Sequence, residues 1–100
     1  MIDNVLRIEL KIVRHTGTDG KKFLTYSVLS KHGRWVDCKF RTSVTVPTVP
    51  GFMIVQKDNM SVDRNRKYQR VWIHAIDNFE PLPNGQINDY QPAKGLEDLF

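Results

Sequence analysis

The chain has 100 residues, 40% of them apolar, and a formal net charge of +4. That length holds one domain with one modest core, and leaves no room for a catalytic cleft between two lobes. The single cysteine, Cys38, excludes an intramolecular disulfide framework and a paired-cysteine metal or redox motif.

The N-terminal MIDNVLRIEL lacks the basic start, apolar run and small-residue cleavage site of a secretory leader, so the expected location is the cytoplasm. No run approaches the ~18 apolar residues of a membrane span. The dominant pattern along the chain has period two, which signals half-buried strands. Leu6, Ile8, Leu10 and Ile12 alternate with Arg7, Glu9 and Lys11 and predict a first strand. Asp19-Gly20 marks a turn. KFLTYSVLS predicts a second strand, with Leu24, Tyr26 and Val28 on the core face and Phe23, Thr25, Ser27 and Leu29 on the other. His32-Gly33 marks the next turn, because glycine takes the positive φ that a short hairpin needs. RWVDCKFRTSV predicts a third strand that buries Val36, Cys38 and Phe40 and turns Trp35, Asp37, Lys39 and Arg41 outward.

TVPTVPG cannot be a helix: Pro47 and Pro50 lack the amide hydrogen, and Thr and Val are stiff at χ1. It predicts an extended linker. FMIVQKDNMSV predicts a fourth strand, DRNRK a polar loop, and YQRVWIHAI a fifth strand. In the fifth, Val71, Ile73 and Ala75 alternate with Arg70, Trp72 and His74. From Pro81 onward the alternation ends. The expected organisation is a domain over 1–82 and a flexible tail over 83–100. The expected fold is all-β: a five-stranded OB-fold barrel of Greek-key connectivity, with an SH3-like barrel as the other candidate.

The charge is uneven. Residues 1–82 carry +6 and residues 83–100 carry −2. A basic body predicts a polyanionic partner. The outward faces sharpen this. Trp35, Lys39 and Arg41 on the third strand, with Tyr68, Arg70 and Trp72 on the fifth, interleave rings with cations. Rings stack on bases and cations neutralise phosphates, which is what an unpaired nucleic-acid strand requires. Lys21 and Lys22 in the first loop, and Arg64, Arg66 and Lys67 near the fourth, add charge where OB barrels grip a strand. The competing expectation puts both tryptophans in the core, since a one-residue shift of register flips every side chain. Catalytic machinery is not expected. His15, His32 and His74 have no partner at ligand spacing, Cys38 sits among apolar alternation, and Asp37 and Asp77 have no obvious acid or base beside them. No metal or cofactor is expected.

Three stretches together resemble bacterial and phage single-stranded DNA-binding proteins with the OB fold. RWVDCKF resembles that family's third-strand motif. RVWIHAIDNFEPL resembles its last strand. GLEDLF resembles its acidic C-terminal tip, which ends in an apolar residue and a terminal Phe. The likeness spans roughly 4–82 and the last four residues. It implies sequence-tolerant binding and protection of single-stranded DNA in replication or recombination, and assembly as a homo-oligomer, dimer or tetramer. Trp35 falls on the family's stacking tryptophan. Glu97, Asp98, Leu99 and Phe100 fall on the tip that docks replication or recombination proteins. The chain departs from the family where TSVTVPTVPG replaces a short helix, and its tail is short, which suggests a compact version from a phage or mobile element. Two alternatives stand beside this expectation: an RNA-binding or primosome-accessory OB protein, and a protein-interaction module with buried tryptophans.

Overall fold

The computed structural model describes residues 4–64 and 67–90. The alternation in the first segment produces β1 (Val5–Thr16), whose even-numbered Ile8, Leu10 and Ile12 are buried. β1 is long enough to serve two neighbours. Its first half pairs antiparallel with β4 (Gly51–Gln56), and its second half pairs antiparallel with β2 (Lys22–Leu29). Leu10 is the crossover, opposite Val28 on one side and Gly51 on the other.

β2 turns back into β3 (Trp35–Phe40) through a tight turn in which Gly33 takes φ 79° and the Ser30 amide bonds the Arg34 carbonyl oxygen. β3 then pairs parallel with β6 (Arg70–Ile73), and β6 pairs antiparallel with β5 (Met60–Asp63). On the other flank, β7 (Asn78–Pro81) pairs with β4. The resulting mixed sheet has the order β5-β6-β3-β2-β1-β4-β7, with β8 (Asn88–Asp89) parallel to β1 off that path. Its concave side holds the core: Ile8, Leu10, Ile12, Val28, Cys38, Met53, Val55, Val71 and Ile73. Tyr26 and Phe40 seal its flank edge to face, with ring centroids 5.2 Å apart. Full burial of one such aliphatic side chain contributes about 1.5–3 kcal/mol.

The all-β class agrees with the sequence expectation; the strand count does not. Among the described residues there are eight strands where five were expected, and hydrogen bonds among them do not close the sheet into a ring. The expected fourth strand is cut by a 3-10 turn at Lys57–Asn59 into β4 and β5. The expected fifth strand is regular only over Arg70–Ile73. Two further elements lie outside the five strands that periodicity predicted. β7 follows the 74–77 loop, and β8 falls inside the stretch expected to be tail. Ile87 also packs against the core, so the packing runs past residue 82. The third strand, expected to run to Val44, ends at Phe40, and the expected linker over 45–51 is non-helical, as its prolines dictate, with Gly51 already in β4.

Leu24 corrects a face assignment. It has core parity but is 37% exposed. The β2–β3 ladder stops at Tyr26–Cys38, while the β1–β2 ladder runs on to Thr16–Lys22. Beyond Tyr26, then, the two strands continue as a ribbon with no third strand beside β2, and Leu24 has no core beneath it. Two-stranded ribbons are marginal alone. β8 supports this one, pairing with Val13 and Arg14 and bonding the Tyr90 amide to the Arg14 carbonyl oxygen at 2.7 Å.

Gly51 lies opposite Pro81 of β7, where there is no room for a side chain. A Cβ there would collide with the Glu80 carbonyl oxygen and stand 2.6 Å from Phe79 Cζ. Gly51→Ala should therefore force the strands apart and destabilise the fold by about 1–3 kcal/mol. The midpoint of urea unfolding checks this: an unchanged midpoint would mean that β7 does not pack as described.

Candidate nucleic-acid interface

On the convex side of the sheet, the register gathers the expected residues on one face. Trp35, Asp37 and Lys39 of β3 have the opposite parity to buried Cys38. Arg70 and Trp72 of β6 have the opposite parity to buried Val71 and Ile73. Because β3 and β6 run parallel, Asp37 lies beside Arg70 and Lys39 beside Trp72. Arg41 follows β3 and donates its amide to the Ile73 carbonyl oxygen, which holds it next to Trp72.

Neither tryptophan belongs to the buried core. Trp35 is 41% exposed, with Lys11 Nζ 4.6 Å from its ring centroid. Trp72 is half-buried between two guanidinium groups: Arg41 Cζ lies 4.3 Å and Arg70 Cζ 6.0 Å from its centroid. Tyr68 is 71% exposed, with Lys67 Nζ 5.6 Å from its ring. Lys21, Lys22 and Lys39 are exposed.

Arg70 is more constrained than its sequence context suggested. Its Nε donates to Asp37 Oδ2 at 2.7 Å, and the pair is partly buried. This corrects the expectation that Asp37 lacks a partner. It also matches the Arg70 charge with Asp37 beside Trp72, whose ring centroid is 6.0 Å from Arg70 Cζ. Arg66, Glu97, Asp98, Leu99 and Phe100 lie outside the described residues.

Cation–ring contacts at exposed sites are worth about 0.5–1 kcal/mol. Stacking a nucleobase on the same ring is worth about 1–3 kcal/mol, a range typical of single-strand-binding domains. A base can therefore displace Lys11 from Trp35 and release its ammonium toward a phosphate. Trp72, flanked by two guanidiniums, offers less open ring. On this arithmetic Trp35 is the better platform.

Sequence reasoning missed four residues on this side of the sheet. Lys11 is one; only the pairing of β1 with β2 brings it near Trp35. The others form a column of rings on the ribbon. His15 lies between Phe23, at 5.0 Å and 9° from parallel, and Tyr90, at 4.9 Å and 25°. The parity of Phe23 was legible, but its stacking on His15 and Tyr90 was not.

A cavity of about 780 Å³ lies elsewhere. It opens at the end of the sheet that holds the β2–β3 turn and is lined by Leu6, Ile8, Val28, Val36, Val62 and Val71. Beside these apolar side chains its lining includes the polar Arg7, Glu9, Lys31, His32 and Lys57. Among the described residues no three His, Cys, Asp or Glu side chains are placed to hold a metal ion. Among them also, no helix is long and apolar enough to cross a membrane. No family model, curated protein or solved structure matches the chain.

Cys38 is buried under this face. Burial, reinforced by the Asp37 charge and opposed by Lys39, pushes its thiol from 9.0 up to about 12. The folded pKa is above the unfolded one, so the protonated thiol contributes stability fully below about pH 9, and that contribution is lost as pH rises toward about 12. The loss should approach ~1.4 kcal/mol per pH unit in that window. Unfolding titrations of the wild type and Cys38→Ala at pH 8 and pH 11 check it: the gap between them should narrow at the higher pH, and a constant gap would refute the assignment.

Proposed function

We propose that this chain is a non-enzymatic, sequence-tolerant single-stranded DNA-binding protein that protects exposed strands during replication or recombination. The observation that carries the reading is the β3–β6 outer face. Trp35 and Trp72 stand outside the core there, and Tyr68 is exposed in the loop before β6, each with a cation over its ring. Trp35 and Tyr68 stack on bases, and Trp72 is a smaller third platform. Lys39, Arg41, Lys67 and Arg66 meet phosphates, with Lys21 and Lys22 at the β1–β2 loop. Arg70, paired with Asp37, lies beside Trp72.

The topology supports a partly open OB barrel. Its five strands would be β1, β2, β3, the β4–β5 segment taken as one, and β6. The 3-10 turn lets that one segment reach β1 with its first half and β6 with its second. In such barrels the strand 2–3 face and the loops after the first and fourth strands bind oligonucleotides. Those loops correspond here to 17–21 and 64–69. The tip over Glu97, Asp98, Leu99 and Phe100 is the docking peptide for replication or recombination proteins, an apolar anchor with flanking charge. The protein works as a homo-oligomer, dimer or tetramer, in the cytoplasm.

Two readings compete. An RNA-binding or primosome-accessory OB protein would use the same rings with contacts to 2′-hydroxyls. A protein-interaction module would bury its tryptophans in the core or against a protein, and the exposure of Trp35 argues against the first of these forms.

Titrating intrinsic tryptophan fluorescence with oligo(dT), against duplex and RNA controls, separates them. Single-stranded DNA should quench strongly and the duplex should not. Equal quenching by RNA would favour the RNA reading. Salt-fragile binding that is equal for duplex and single strand would overturn the proposal. Trp35→Ala should weaken binding by about 1–3 kcal/mol and Trp72→Ala by less. Lys39→Ala should lower the slope of log affinity against log salt by about 0.7.

A further inference from the structure

The β1–β2 ribbon carries more exposed ring surface than holding itself together needs. Phe23 is 51% exposed and Tyr90 58% exposed. Both stack on His15, and more than half of each residue's surface stays open to solvent. Burying rings is strongly favourable in folding, so large exposed rings that share one direction mark a contact surface.

The column has the chemistry of the Trp35 face. His15 and Phe23 have outward parity on β1 and β2, opposite to buried Ile12 and Val28, so they lie on the same convex side as the β3–β6 rings. Lys21 and Lys22 precede Phe23 and are exposed. The rings are also held in place. His15 Nε2 shares a hydrogen bond of 2.7 Å with Thr25 Oγ1, and the ion pair of Arg14 with Asp89 ties β8 beneath Tyr90. A rigid platform loses little freedom when a base lands on it.

We propose that the Phe23–His15–Tyr90 column is a second stacking site for unpaired nucleobases, which extends the bound strand from the Trp35 face onto the β1–β2 ribbon. This rests on the single-strand-binding reading. Along β2, Leu29, the partner of Trp35, is six residues from Phe23, about 20 Å of strand. That adds about six nucleotides at the 3.4 Å spacing of a stacked strand. Tyr90 thereby brings a residue from beyond position 82 into the interface.

The test uses the full chain and labelled oligo(dT) of about five and about fifteen nucleotides, lengths that fall short of and exceed the Trp35 face. Phe23→Ala and Tyr90→Ala should bind the long oligonucleotide about 5–150-fold more weakly, with a shorter site size in stoichiometric titration, and bind the short one like the wild type. Tyr90→Phe should behave as wild type. Tyr90→Leu keeps an apolar cover on His15 but removes the ring. It should lose long-strand affinity while unfolding at the wild-type urea midpoint, so a folding defect in the alanine variants would not hide the result. If Trp35→Ala weakens binding at both lengths while Tyr90→Leu changes neither, the column only fastens β8 and the inference is overturned. If the wild type binds no single strand at either length, the parent reading falls and takes the column with it.

Discussion

The alternation of side chains along β1 is the constraint on which the rest of the molecule depends. Its inward residues, Ile8, Leu10 and Ile12, fill the centre of the core, and its backbone pairs with β4, β2 and β8. At Leu10 both edges of the strand are occupied at once. A shift of one residue would exchange the buried and exposed faces and break the ladders on either side. Because β2 is fixed by β1, β3 by β2 and β6 by β3, the outward position of both tryptophans follows from this one register.

That dependence explains which parts of the fold the sequence revealed. The first three strands and their turns were legible because period two and the glycines at 20 and 33 are local signals. Which face Trp35, Lys39 and Trp72 occupy followed from parity alone. The break at Lys57–Asn59 was not legible. Nothing in KDN forces a turn, which arises because one end of the segment must reach β1 and the other β6. β7 and β8 were hidden for a similar reason. NFEP and ND have no periodicity of their own and become strands only because β4 and β1 have open edges beside them. Leu24 shows the limit of parity, which names a face but cannot say whether a third strand lies beyond it. The ring column needed cross-strand register and a residue 75 positions from His15, and no local pattern carries that.

The face on β3 and β6 has a common design. Each ring has a cation over it, so the aromatic surface is occupied but not buried. Arg70 differs from the others. Its bond to Asp37 gives this candidate phosphate ligand a carboxylate partner beside Trp72. Charge counting would treat Arg70 and Lys39 alike, whereas geometry pairs one with Asp37 and leaves the other facing solvent.

The 3-10 turn between β4 and β5 has a mechanical meaning. One continuous segment belongs to two ladders, and the turn uncouples their twist. The β5–β6 pair can then loosen without pulling β4 away from β1. Amide protons on β1 and β4 would exchange only on global unfolding, while those of β5 would exchange through a smaller opening. Among the described residues β4 is thus held on two edges, by β1 and β7, whereas β5, the strand beside Trp72, is held on one, by β6.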